Sequence, residues 1–260
     1  PQLLQLQGKQ SVFKYTLGLS ATPERVYDEE GTDFIFAEIG RPIFSYPLED
    51  AIKNGTLCPF NYHEIKVQQS DETSRQISRA MAHHEATRER QNRSSKDLAV
   101  AIANIRAKDE NKIPSLKYFL NHEKPQLIKN SIIFCATHEQ GDEVAGILAE
   151  NGTTFTKNYR ESTADQQRSL DELEDGRIDT VINCHTLSEG IDIRSLENIF
   201  ILSSYRSKLE TIQRVGRCLR IDPNNPKKIA NVVDLVLYKD IESNDCIDGE
   251  KERKDWHVST

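Results

Sequence analysis

The chain has 260 residues, 37% hydrophobic and 29% charged, enough for one large domain with appendages. Acidic residues outnumber basic ones 41 to 34; this excludes nucleic-acid binding by bulk positive charge, so any such contact must be local. The five cysteines, Cys58, Cys135, Cys184, Cys218 and Cys246, are scattered and form no CxxC pair, which argues against a zinc site or a disulfide framework and for a reduced, cytoplasmic setting. No apolar run approaches the ~18 residues of a membrane helix, and Pro1 to Gln10 lacks the basic and apolar regions of a signal peptide, so no membrane partner is expected.

In chain order, the first residue is proline rather than methionine and an apolar stretch, Tyr15 to Leu19, follows almost at once. We expect a truncated chain with a strand already under way. That stretch runs into Ser20-Ala21-Thr22-Pro23-Glu24. Small hydroxyls at a strand end suit close packing between two domains, although alone they equally mark a strand end or helix cap.

Residues 66 to 125 are polar and mostly helical in pattern, with small apolar faces at Leu98, Ile102 and Ile105 and at Leu116, Phe119 and Leu120, which predicts a helical connector. His83 and His84 lie there; adjacent positions point to different helix faces and no third ligand is spaced nearby, so they read as solvated histidines rather than metal ligands. Arg88, Arg90, Arg93 and Lys96 could touch a phosphate backbone, but interleaved with Glu89 and Asp97 they read better as a solvated helix face.

From about residue 126 short apolar runs alternate with helix-like segments, the signature of parallel βαβ units. Ser131 to Cys135 predicts a buried strand. Thr137 with Gln140 forms a capping box for a helix with Val144, Ile147 and Leu148 on one face, which Asn151-Gly152 stops. Thr153 to Thr156 predicts the next strand, Thr163 with Gln166 a second capping box, and Leu170 with Leu173 the buried stripe of a helix ended by Gly176. Further strands are expected at Thr180 to Asn183, Asn198 to Leu202 and Ala230 to Val236, with a helix from about Lys208 to Leu219. The fold class is therefore α/β, a parallel sheet with helices on both faces, preceded by the helical connector. In such sheets ligands sit in loops beyond the carboxyl ends of the strands, here after Cys135, Asn183 and Leu202. The charge-rich residues from Asp240 onward read as a tail.

Two segments in those loops carry candidate chemistry. In Gln213-Arg214-Val215-Gly216-Arg217-Cys218-Leu219-Arg220, helical spacing puts Gln213, Arg217 and Arg220 on one face and Ile212, Val215 and Leu219 on another. One face can pack on the sheet while two guanidinium groups, always ionised and able to bond phosphate oxygens bidentately, project outward. The plainer reading is a helix with exposed arginines. In Thr186-Leu187-Ser188-Glu189-Gly190-Ile191-Asp192-Ile193, Gly190 permits a turn and Asp192 can accept a ribose hydroxyl. Read alone, this is a polar turn.

The segments at Ser20, Gly190 and Gln213 stand in the order and approximate spacing of motifs III, V and VI of superfamily 2 helicases. The chain resembles the DEAD/DEAH-box group that holds restriction-enzyme Res subunits and repair helicases of the UvrB and XPB kind. Motif III would be Ser20-Ala21-Thr22 within Leu17-Gly-Leu-Ser-Ala-Thr-Pro-Glu-Arg25, and motif IV the Ile132-Ile133-Phe134-Cys135 strand; Ser207 also fits. The resemblance implies a C-terminal half: a remnant of a first RecA-like domain over 1–48, a linker and helical connector over 49–125, a second RecA-like domain of the P-loop NTPase type over 126–240, and a tail over 241–260. It implies Arg217 and Arg220 as arginine fingers to an ATP γ-phosphate, with Gln213 coupling the domains and Gly190 with Asp192 near the nucleotide. Ser20 and Thr22 would link ATP state to nucleic-acid grip. Thr137, Arg160 and Thr186 are nucleic-acid candidates by loop position.

The departures are equally definite. No G-x-x-x-x-G-K-[ST] loop exists, since Gly8-Lys9 lacks both the earlier glycine and the following hydroxyl, so the phosphate cradle is absent. Neither Asp28-Glu29-Glu30 nor Asp171-Glu172 follows a buried strand to replace the acidic magnesium box. Where DEAD-box proteins often carry a phosphate-binding threonine, this chain has Cys184. The expectation is that ATP and Mg2+ act in the full-length protein, that this chain holds neither tightly, and that its partners are DNA, with RNA not excluded, and an N-terminal RecA-like domain absent here. The alternative is a non-enzymatic RecA-like module that binds nucleic acid or a partner. A small-molecule α/β enzyme would need a nucleophile and base pair or a dinucleotide loop, and neither is present.

Overall fold

The computed structural model describes residues 14–20, 29–91, 95–159, 163–184, 193–202, 216, 218–247 and 250–251. The chain divides into two compact units, Pro1–Pro47 and Leu48–Thr260. In the first unit, α1 (Glu29–Glu38) is the described helix, and a Cβ added at Gly18 would press to 2.8 Å from the Ile39 Cγ2 methyl, so glycine there allows residues 14–20 to pass close to the end of α1. The strand expected over Tyr15–Leu19 is not formed. A strand needs a neighbour to pair with, and none of the described residues in this unit supplies one.

The second unit holds α2 (Leu48–Lys53), β1 (Phe60–Gln68), α3 (Asp71–Gln91), α4 (Ser95–Ala107), α5 (Lys112–Tyr118), β2 (Ser131–Phe134), α6 (His138–Glu150), β3 (Phe155–Asn158), α7 (Thr163–Glu174), β4 (Thr180–Asn183), β5 (Asn198–Ile201), β6 (Ala230–Asp240) and β7 (Asp245–Cys246). Strand order is β1-β6-β5-β2-β4-β3, with β7 added to β6. Every pairing is parallel except the last.

The runs Ser131–Phe134, Thr180–Asn183 and Asn198–Ile201 are buried along their whole length, as central strands covered on both faces must be. Their side chains alternate between two cores. Ile133, Ile182 and Phe200 pack with Leu116 of α5 and Val144 and Leu148 of α6; Ile132, Val181 and Ile199 pack with Leu170 and Leu173 of α7 and with Leu219. Helices therefore cover both faces. Thr137 caps α6 by accepting a hydrogen bond from Gln140 N at 3.2 Å, while the Gln140 Oε1 accepts from Ala136 N at 2.7 Å, one residue earlier than a standard capping box requires. Gly152 and Gly176 follow α6 and α7 with φ of +68° and +69°, the left-handed turn that glycine adopts without strain.

Several expectations change. Phe60–Gln68, within the stretch read as linker and connector, is an edge strand paired along its length with β6; Ile65 and Val67 enter one core while Phe60 and Tyr62 lie against the other. The strand expected at Thr153–Thr156 is displaced to Phe155–Asn158, because Phe155 is its one strongly apolar residue and the edge position demands little more. Residues expected in a tail instead form β7, and Ile247 is 1% exposed, since β6 runs past the end of β5 and pairs there with β7. His83 is exposed but His84 is buried, so the two faces of α3 differ and only the first histidine is solvated. The helix expected at Lys208–Leu219 lies largely outside the described residues; Gly216 and Cys218 are helical. No described helix is long and apolar enough to cross a membrane.

Candidate functional site

The carboxyl ends of β2, β4 and β5 deliver the chain to Cys135, Cys184 and Leu202, all buried. The Cys184 thiol lies 3.0 Å from the Thr137 carbonyl, and Cys135 N donates to Asn183 O at 2.8 Å, so the exits from β2 and β4 are held side by side. Among the expected site residues, Gln213, Arg217, Gly190, Asp192, Thr22, Arg160 and Thr186 lie outside the described residues. Thr137, Arg220 and Ser20 lie within them. Ser20 is exposed in the first unit.

Thr137 is half-buried at the exit of β2, its hydroxyl engaged as the cap of α6. Glu139 beside it has its carboxyl held below the usual range by its own backbone N–H and by the Thr137 hydroxyl. Next in chain, the His138 ring stacks on Tyr159 with centroids 4.6 Å apart and planes 9° from parallel. The Tyr159 hydroxyl donates to Asp142 Oδ1 at 3.0 Å, and Lys157 Nζ donates to the same oxygen at 2.7 Å. Burial first, then the bond to Asp142, raises the Tyr159 phenol, while Lys157 and Tyr159 lower Asp142. A side chain at Gly141 would collide with the Tyr159 ring. Thr137, His138 and Tyr159 thus meet where β2 and β3 end, immediately before Arg160.

Arg220 closes the arginine-bearing segment. It is half-buried and forms an isolated antiparallel bridge with Leu57, made by Cys58 N donating to Leu219 O at 2.8 Å. Cys218, just before, is fully buried and its thiol is pushed up to about 12, by burial above all, which leaves it a packing residue rather than a nucleophile.

Two buried lysines, neither marked by any sequence motif, hold backbone carbonyls at the end of β5 and at Arg220. Lys112, 1% exposed, donates to Leu202 O at 2.7 Å. Lys228, 4% exposed, donates to Arg194 O at 2.7 Å and Arg220 O at 2.9 Å. Asp109, 1% exposed, accepts from Ser70 N and Asn111 N, each at 2.9 Å, and ties the end of β1 to the start of α5. Among the described residues no group of three or more His, Cys, Asp or Glu side chains is arranged to hold a metal. A cavity of about 620 Å³ lined by Ile128, Lys129, Thr153 and Asp179 opens at the amino ends of β2, β3 and β4. Ligands of parallel sheets bind at the other edge.

A parallel sheet of this order, helix-covered on both faces, is RecA-like. Residues 111–222 match the family model of the helicase conserved C-terminal domain. "Putative helicase 22" of Sulfolobus islandicus filamentous virus (isolate Iceland/Hveragerdi) is 22% identical over 237 residues, covering 86% of this chain and 38% of its own length. A putative HsdR subunit of a type I restriction enzyme from Vibrio vulnificus YJ016 shares the fold with a TM-score of 0.53 at 20% identity, over 84% of this chain and 39% of that one. The Sulfolobus solfataricus SWI2/SNF2 ATPase core, solved in complex with double-stranded DNA, shares it with a TM-score of 0.53 at 13% identity, over 83% and 48%. Residues 111–222 are thus similar to the helicase conserved C-terminal domain, and the chain spans about two fifths of the viral relative's length.

Proposed function

We propose that this chain is the C-terminal motor half of an ATP-dependent DNA helicase or translocase, which completes an ATP site with an N-terminal RecA-like domain of the same protein. The observation that carries the reading is the helicase C-terminal domain match over 111–222, which includes both candidate segments. In this reading Arg217 and Arg220 reach the γ-phosphate, where two permanently charged guanidinium groups stabilise the charge spread over the transferring phosphoryl oxygens. Gln213 couples the domains. Gly190 lets backbone approach the nucleotide and Asp192 accepts a ribose hydroxyl. Mg2+ arrives with ATP and is held by acidic groups of the other domain.

Nucleic acid lies along the exits of β2, β3 and β4, where Thr137, Arg160 and Thr186 meet its phosphates, and Ser20 with Thr22 relays the nucleotide state. Contacts of this kind grip the backbone rather than read bases. With a net charge of −7 the binding is local, and its salt dependence follows the number of phosphates that lysines and arginines neutralise. The test is ATP hydrolysis by the whole protein with and without DNA. DNA-stimulated turnover supports the motor; ATP and DNA binding with no turnover supports a non-enzymatic module, and stimulation by RNA alone reassigns the substrate.

A further inference from the structure

We infer that Lys228 is a positioning residue that locks the nucleotide-facing loop to the arginine-bearing segment, an inference that rests on the motor reading above. Its ammonium group bridges two carbonyls from separate stretches of chain: Arg194 O, which follows Gly190 and Asp192, and Arg220 O, which ends the segment with Gln213 and Arg217. The residue is 4% exposed, and no carboxylate among the described residues forms an ion pair with it. Burying an ammonium is costly, and a methionine of similar length would fill the space without that cost. The two carbonyls accept from the ammonium and help offset the burial, so the charge serves the junction rather than the packing.

The geometry gives the junction leverage. The backbone at Arg220 is held twice, by Lys228 on its carbonyl and by the bridge to Leu57, whose hydrogen bond runs from Cys58 N to Leu219 O. Lys112 holds the carboxyl end of β5 in the same way, at Leu202 O. A guanidinium projecting from an anchored backbone keeps its place as the loop at 190–192 engages nucleotide. Displacement of a catalytic group by about 1 Å costs on the order of 10²-fold in rate, and a link of this kind prevents it.

The test pairs Lys228→Met with Leu148→Ala, a truncation in the opposite core, whose cluster holds no residue of either segment, and with Lys228→Arg. In the chain itself, hydrogen–deuterium exchange of Lys228→Met is expected to quicken at both 193–198 and 218–222 and of Leu148→Ala at neither selectively. In the whole protein, kcat of Lys228→Met is expected to fall about 10²-fold with KM for ATP little changed, and Lys228→Arg to recover part of it. Exchange unchanged at either segment, or a kcat no lower than that of Leu148→Ala, overturns the inference. A wild-type protein without ATPase activity overturns the motor reading instead, and exchange in the chain then separately decides whether Lys228 joins the two segments.

Discussion

Tyr15, Leu17 and Leu19 of the first unit alternate as a strand should, yet they are 82%, 78% and 88% exposed; Val232, Val233, Leu235 and Leu237 of β6 are all 0% exposed. The two stretches have similar apolar content. What separates them is company: β6 has strand neighbours on both sides and helices over both faces, whereas no described residue of the first unit pairs with Tyr15–Leu19. Apolar patterning states a demand for covering layers, and only the fold meets it.

The contrast is broken most forcefully at the core. Phe200→Ala is expected to lower unfolding free energy by about 3–5 kcal/mol in urea denaturation, because Phe200 is fully enclosed between α5 and α6; a loss under ~1 kcal/mol would mean that this layer is not closed. Thr137→Ala is expected to cost about 1 kcal/mol by removing the cap of α6, with Thr137→Ser restoring most of it. Asp142 sharpens the view of the strand-end surface. Its carboxyl is lowered in the fold by Lys157 and Tyr159, so the small stability it adds is present above its ordinary value near 3.8 and is lost as pH falls through the lower folded value. An NMR titration of its side chain is expected to give a midpoint below 3.8; a midpoint at or above that value contradicts the Lys157 and Tyr159 contacts. Least of all should change with Leu17→Ser and Leu19→Ser, expected within about 0.5 kcal/mol in the chain.

The same contrast explains what could be read in advance. Ser131–Cys135, Thr180–Asn183 and Asn198–Leu202 were legible because central parallel strands must be continuously apolar. The edge strand β1 was not, since Asn61, Glu64, Lys66 and Gln68 dilute its pattern, although Ile65 and Val67 at alternate positions were the available signal. In the candidate site, Arg217, Arg220, Gly190 and Asp192 stood out through residue type and spacing. Lys112 and Lys228 did not. The chain has 34 lysines and arginines, and nothing local distinguishes these two, whose ammonium groups turn inward; that depends on which carbonyls the folded strand ends bring within reach.

The central claim is that this domain completes an ATP site with its arginines, and DNA-stimulated ATP turnover by the whole protein, wild type against Arg217→Ala and Arg220→Ala, tests it most directly. The account predicts that each substitution lowers kcat by ~10³-fold or more while ATP still binds. Turnover in both variants equal to wild type would contradict it.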